Sequence, residues 1–246
     1  HHYGNQARSL PISKLTRMRI LVVGSGAREH AIVKALIRTG TKPEDIVCTP
    51  GNEYIARQVE VRELKDISDK LGITKIALEE AVDLAIIGPE GPLVAGLADN
   101  LRAQGMLVFG PDQKAAALEG SKQFAKDVMA AADIPTGMSR RCDDLAEVED
   151  AMSQFGAPYV IKADGLAAGK GVIVAMTLEE AHAAIDDILR DNTLGVAHNA
   201  DGARVVIEQF LEGEEASFIV VSDGVNVQAL ATSQDHKRLL DADQGP

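Results

Sequence analysis

The sequence predicts an α/β protein with a parallel sheet in its first part and antiparallel strands in its second. Three observations predict it. An apolar strand, Arg19-Ile20-Leu21-Val22-Val23, runs through Gly24-Ser25-Gly26 into a helical pattern, the opening of a Rossmann-like unit with anion-binding N–H groups at the helix start. Apolar strand-length runs then alternate with helical stretches as far as Phe109, and such alternation builds a parallel sheet. Further on, Val160-Ile161 and Val172-Ile173-Val174 flank a turn of small residues, which reads as two strands joined as a hairpin. A length of 246 residues suggests about two domains of roughly 100–150 residues each.

The elements follow in order. Residues 1–17 begin His1-His2 and continue with polar filler, a tag or linker remnant outside the fold. The first domain spans 18–118. Its first helix is expected at 31–38, after Arg28-Glu29-His30, and a short strand at 46–48 ends on Thr49-Pro50-Gly51-Asn52. Residues 67–80 are expected to be helical. Leu84-Ala85-Ile86-Ile87 is a continuous apolar run, as in a parallel strand buried on both faces, and stops at Gly88-Pro89-Glu90-Gly91-Pro92. A helix over 93–104 and a strand Leu107-Val108-Phe109 complete the domain. Ligands of such sheets bind beyond the carboxyl ends of the strands, and the turns there carry Gly with Pro or Arg.

A helical patch at 113–118 leads to a second domain with antiparallel strands, which begins near Glu119. Ser121 caps a helix over 122–132, Ile134-Pro135-Thr136 breaks it, and Asp143 or Asp144 caps the next helix, to about Phe155. After the hairpin come a helix over 178–189 capped by Thr177, a polar loop, and strands at 204–208, 216–222 and 225–232, the last two joined by Asp223-Gly224.

A net charge of −12 argues against a nucleic-acid binder, because phosphate backbones need a basic face. The longest apolar runs are far short of a membrane span, and residues 1–16 have no signal-peptide core. Cys48 and Cys142 stand in no metal-ligand spacing. A reduced, cytoplasmic protein is the expectation.

Three stretches carry chemistry. Between Ile161 and Val172 lie three glycines, three alanines, Lys162, Lys170 and a single Asp164. Glycine turns backbone N–H groups toward a phosphate and lysine adds a mobile charge. No Gly-Lys-Ser/Thr precedes a helix, so this is not a Walker A loop. It is a phosphate-covering hairpin or only a flexible one. Val205-Val206-Ile207-Glu208 ends an apolar strand on a carboxylate, and Glu215 recurs after Gly213. A strand-end carboxylate can accept the amino group of adenine and another can take ribose hydroxyls; the bland alternative is a solvated acidic turn. Gly24-Ser25-Gly26 lacks the third fingerprint glycine of a dinucleotide site, leaving a single-phosphate site or a tight βα turn.

In order, Gly120-Ser121-Lys122, the Lys162 hairpin and Glu208…Glu215 resemble the ATP-grasp ligases. With Gly24-Ser25-Gly26-Ala27-Arg28-Glu29-His30, Pro50-Gly51-Asn52, Gly88-Pro89-Glu90, Gly213-Glu214-Glu215-Ala216-Ser217 and Ser233-Gln234-Asp235-His236-Lys237-Arg238, the chain from about Met18 to its last residue is similar to the phosphoribosylamine–glycine ligase family. The resemblance implies a Rossmann-like first domain, an ATP-grasp small domain over 119–195, and the beginning of the large ATP-grasp sheet over 204–246. It implies a purine-biosynthesis ligase that joins glycine to 5-phosphoribosylamine through glycyl phosphate, with ATP and with Mg2+ or Mn2+. The metal ligands are expected beyond residue 246, so that the chain alone is expected to be inactive. Lys122, Lys162, Asp164, Gly165, Gly169, Lys170 and Gly171 would serve the phosphates, and the hairpin over 163–171 is expected to be mobile without nucleotide. Glu208, Phe210 and Leu211 would serve adenine, and Glu215 the ribose. Gly26, Arg28, Glu29, His30, Gly51, Asn52, Pro89 and Glu90 would face phosphoribosylamine, while Asp235, His236 and Lys237 would lie near the reacting substrates. A nucleotide-binding module without ligase activity and a sister carboxylate–amine ligase are the alternatives. Partners are small molecules, with no nucleic acid and no membrane.

Overall fold

The structure is a computed structural model that describes residues 17–166, 172–191, 197–198 and 204–234. The first part holds strands β1 (Ile20–Gly24), β2 (Ile46–Pro50), β3 (Glu60–Val61), β4 (Leu84–Ile87) and β5 (Leu107–Phe109) in one five-stranded sheet of order β3-β2-β1-β4-β5. Every pairing in it is parallel. The chain turns back between β1 and β4, which makes a switch point where two strand ends open toward solvent. Side chains alternate along β1. Leu21 and Val23 pack with Ile73, Leu97 and Leu101 on one face, and Ile20 and Val22 with Val33, Ile46 and Ile55 on the other. Period-2 alternation into two apolar cores is what a sheet covered on both faces requires.

The helices of this part are α1 (Ala27–Arg38), α2 (Glu53–Ala56), α3 (Lys70–Glu79), α4 (Glu90–Val94) and α5 (Leu97–Ala103). Two differ from the sequence reading. Helix α1 starts four residues earlier than expected, because the Glu29 carboxylate reaches back to the Gly26 N–H at 2.7 Å and satisfies a donor at the helix start. The single helix expected over 93–104 is two, because Gly96 sits at φ +86° between them, a conformation only glycine adopts without strain. Gly72 lies within α3, and its N–H bonds Asp69 Oδ1 at 2.9 Å.

The second part holds α6 (Gln113–Gly120), α7 (Lys122–Ala131), β6 (Ser139–Cys142), α8 (Leu145–Phe155), β7 (Tyr159–Ala163), β8 (Gly165–Leu166), β9 (Val172–Ala175), α9 (Leu178–Asp186, followed by a π turn over Asp187–Asp191), β10 (Ala197–His198), β11 (Val205–Gln209), β12 (Val220–Ser222) and β13 (Val227–Ala229). Its main sheet is antiparallel, in the order β6-β11-β7-β9. Two corrections follow. Strand β11 lies between β6 and β7, so residue 204 does not open a separate unit: Val205, Val206 and Ile207 are buried in this sheet. Strand β6 escapes a pattern reading because Ser139-Arg140-Arg141 is polar; it forms by pairing with β11. The core beneath the sheet joins Ile161, Ala163, Val205 and Ile207 to Val148, Met152 and Ile185 of the helices. A separate hairpin, β12–β13, turns at Asp223, whose Oδ1 takes the N–H groups of Val225 and Asn226. Among the described residues no helix is long and apolar enough to cross a membrane.

Candidate active site

The sheet register builds the first cluster. Lys162 pairs with Val206, and Glu208 with Val160. Residues paired across an antiparallel ladder share a face, so Lys162 and Glu208 stand together on the face opposite the Ile161–Ile207 core. Lys162 Nζ donates to Glu208 Oε2 at 2.7 Å. Lys126 Nζ, from α7, stands 3.6 Å from Glu208 Oε1. The Glu208 carboxylate is 9% exposed and lies between two ammonium groups.

Beside it, α7 begins at Ser121, whose Oγ accepts the Phe124 N–H at 3.2 Å. Asp164 ties this helix start to the end of β7. Its Oδ1 accepts the Lys122 N–H at 2.8 Å and the Ser121 hydroxyl at 3.3 Å, while its own N–H donates to Arg204 O. Asp164 is buried and builds the framework. Lys122 Nζ donates to Ala163 O at 2.7 Å. Burial lowers the Lys122 pKa, the Asp164 carboxylate opposes this, and Lys162 adds to the lowering. A desolvated ammonium next to a second one favours an anion as its partner.

Phe210 and Leu211, after β11, are exposed, and Gln209 N–H bonds Met138 O at 2.9 Å. Glu215 lines an open cavity of about 400 Å³ with Glu214, Ala216, Thr232, Ser233 and Gln234. Gly165 pairs with His198 in the β8–β10 ladder. Gly169, Lys170, Gly171, Asp235, His236 and Lys237 lie outside the described residues, as does the 167–171 part of the hairpin expected to be mobile. Lys126 escaped the sequence reading; its only signal is that it follows Lys122 by four residues, one helical turn on the same face.

The second cluster lies at the switch point. Arg28 donates to Gly88 O at 3.3 Å and stands 3.6 Å from Glu90, both side chains exposed. Pro89 caps α4. Asn52 Oδ1 caps α2, and its Nδ2 donates to Ser25 O at 2.8 Å. Gly51, at φ +65°, lies against Val61. His30 Nε2 meets Gln58 Nε2 at 2.6 Å. Glu29 is placed otherwise than expected. It is 4% exposed, wedged against Gly24 and Gly88, and its Oε1 has no hydrogen-bond partner among the described residues. Its other oxygen holds the Gly26 N–H that the sequence reading offered to a phosphate.

Cys48 and Cys142 are unpaired, and burial pushes their thiols up to about 12 and about 11; neither is a thiolate nucleophile. Among the described residues no group of three His, Cys, Asp or Glu side chains could hold a metal.

Comparison with known proteins places this geometry. The phosphoribosylglycinamide synthetase N domain matches residues 18–119, and the ATP-grasp (A) domain of the same synthetase matches residues 120–246. The chain belongs to the phosphoribosylglycinamide synthetase family. It is 52% identical over 228 residues to a phosphoribosylamine–glycine ligase of Neisseria meningitidis serogroup B, covering 93% of this chain and 52% of that one. With its counterpart in Ralstonia nicotianae it is 53% identical over 229 residues, covering 93% and 53%. The crystal structure of the Thermotoga maritima phosphoribosylamine–glycine ligase superposes with a TM-score of 0.75 at 31% identity, over 93% of this chain and 53% of that one. An ADP complex of N5-carboxyaminoimidazole ribonucleotide synthetase shares the fold, with a TM-score of 0.69 at 16% identity over 92% of this chain and 55% of that one. The chain spans about half the length of the curated relatives it matches.

Proposed function

We propose that this chain carries the adenine-nucleotide face and one substrate face of a ligase that joins glycine to 5-phosphoribosylamine. In that reaction a glycine carboxylate oxygen attacks the γ-phosphorus of ATP, and ADP leaves. The amine of phosphoribosylamine then attacks the acyl carbon of glycyl phosphate, loses a proton, and inorganic phosphate leaves. Phosphorylation is needed because a carboxylate has no leaving group, and the protein's task is positioning and charge neutralisation.

The observation that carries the reading is the convergence of Lys122, Lys162 and Glu208 on one sheet face, with Lys122 partly stripped of water. The lysines would hold phosphate oxygens and Glu208 the adenine amino group, with the backbone near Leu211 against the ring and Glu215 at the ribose. The phosphate segment would continue through Gly165, Gly169, Lys170 and Gly171. Arg28, Glu90, Asn52 and His30, at the switch point, would face phosphoribosylamine. With Gly26 bonded to Glu29, the β1 turn suits the ribosylamine end better than the phosphate end. Asp235, His236 and Lys237 would approach the reacting groups. Divalent metal would supply charge neutralisation at the phosphates when bound; no residue of this chain is assigned to hold it.

Two assays test the reading. ATP titration of this chain should saturate, and Lys122→Ala or Lys162→Ala should weaken it. In a polypeptide of the relatives' full length, phosphate release should require both glycine and phosphoribosylamine. ATP binding untouched by either substitution would sink the nucleotide site, and phosphate release indifferent to glycine would sink the ligase.

A further inference from the structure

We propose that Lys126 is a positioning residue that holds the Glu208 carboxylate in place, and thereby sets the preference for a 6-amino purine over a 6-oxo purine. The inference rests on the nucleotide reading above and identifies what within that site decides the base.

Glu208 holds two cations in this structure, and they are not equivalent. Lys162 bonds Oε2 at 2.7 Å but projects from β7 next to Lys122, close enough for its charge to lower the Lys122 pKa. A triphosphate drawn to that pair of lysines competes with Glu208 for Lys162. Glu208, 9% exposed, is then left to a second cation for its compensation, since a buried charge without a partner is costly. Lys126 is that cation. It lies 3.6 Å from Oε1, its side chain 12% exposed, on the oxygen that Lys162 does not take.

The rest of the Lys126 ammonium is spent on the protein. It donates to Thr136 Oγ1 at 2.8 Å and to Gly137 O at 3.1 Å. These two hydrogen bonds and the ion pair with Glu208 tie the ammonium to the protein. Gly137 in turn lies against Leu211 and Gln209 O, and its neighbour Met138 exchanges a backbone bond with Gln209. One ammonium thus fixes both the carboxylate that would face the exocyclic group and the backbone segment opposite Leu211. The chemical consequence is selectivity. A carboxylate anion only accepts hydrogen bonds and matches the 6-amino group of adenine. Without Lys126 the carboxylate is free to turn from the base, which forfeits the contact to a 6-amino group and costs a 6-oxo ligand little.

The test is titration of ATP and inosine triphosphate on this chain, wild type, Lys126→Met, Lys126→Arg and Glu208→Gln, with a thermal melt confirming that each variant is folded. The wild type should prefer ATP. Lys126→Met should weaken ATP about tenfold or more, the loss typical of one charge-assisted contact, and change inosine triphosphate far less, so that the ratio falls. Lys126→Arg, which keeps the charge, should restore most of the ratio. In a Glu208→Gln background, Lys126→Met should shift the ratio no further. Equal weakening of both nucleotides, or an unchanged ratio, would reduce Lys126 to a structural residue and overturn the proposal. Should Lys126→Met not fold, a wild-type ratio in Glu208→Gln would overturn it as well. A wild type that binds no ATP overturns the nucleotide reading itself, an outcome distinct from variants that match a binding wild type.

Discussion

Replacing Gly88 by alanine tests the packing at the switch point. An alanine Cβ at position 88 would stand 1.9 Å from Glu29 Oε1, 2.7 Å from its Cδ and 2.9 Å from its Cγ. No side chain accommodates that, so Glu29 must leave and surrender its 2.7 Å bond from the Gly26 N–H. Losing a hydrogen bond to a charged group costs about 1.5–3 kcal/mol, and overpacking a tight site about 1–3 kcal/mol. Because moving Glu29 relieves the second as it incurs the first, a net loss of about 2–4 kcal/mol is expected. For a chain of this size that lowers the melting temperature by about 5–15 °C. Circular dichroism melts of wild type, Gly88→Ala, Glu29→Ala and the double variant complete the cycle. The three atoms nearest the new methyl all belong to Glu29, so Gly88→Ala should cost little in the Glu29→Ala background. A loss of the same size in both backgrounds would refute the placement of Glu29.

Other consequences are as direct. Lys162→Ala should weaken ATP more than Lys170→Ala, since Lys162 is held by the register of β7 and Lys170 belongs to the Gly- and Ala-rich segment of the sequence; equal affinities in nucleotide titration would reverse the ranking. Burial lowers the Lys122 pKa below 10.5, so between its folded value and 10.5 the unfolded chain binds more protons, and stability gains from this group as pH rises. The stability of wild type minus that of Lys122→Met should therefore increase with pH through that alkaline window, and a flat difference in denaturant titrations would contradict it. Glu80 accepts hydrogen bonds from Arg19 and Arg62, and the Arg19 bond foremost holds its carboxyl below 4.5. Glu80→Gln should cost roughly 1–3 kcal/mol at neutral pH, and the gap from wild type should close as pH falls through the lowered Glu80 value. A gap that persists in acid would speak against the ion pairs.

The parts of the fold that alternate cleanly were legible in the sequence. Leu84–Ile87 and Leu107–Phe109 are strands as read, and Ser121, Asp144 and Thr177 cap the helices they were expected to cap. What was missed depends on tertiary partners. The polar strand Ser139–Cys142 exists through its pairing with β11, and β11 joins the hairpin sheet because Val205 and Ile207 complete its core. The start of α1 and the break at Gly96 turn on a side-chain bond and a single left-handed residue. In the candidate site, Lys162 and Glu208 stood out at a glycine-rich turn and a strand end, while Lys122 and the roles of all three came from the family resemblance. Glu29 could not be placed, because its direction is set by two glycines more than fifty residues apart in sequence, Gly24 and Gly88. Lys126 carried no motif and emerges only from its approach to Glu208 across the sheet face.

A crystal structure of this chain with a non-hydrolysable ATP analogue tests the central claim most directly. The account predicts the adenine amino group within hydrogen-bonding distance of Glu208, phosphate oxygens at the ammonium groups of Lys122 and Lys162, and Lys126 still on Thr136, Gly137 and Glu208. An analogue seated elsewhere, or one whose phosphates leave the Lys162–Glu208 pair intact and out of reach, would contradict it.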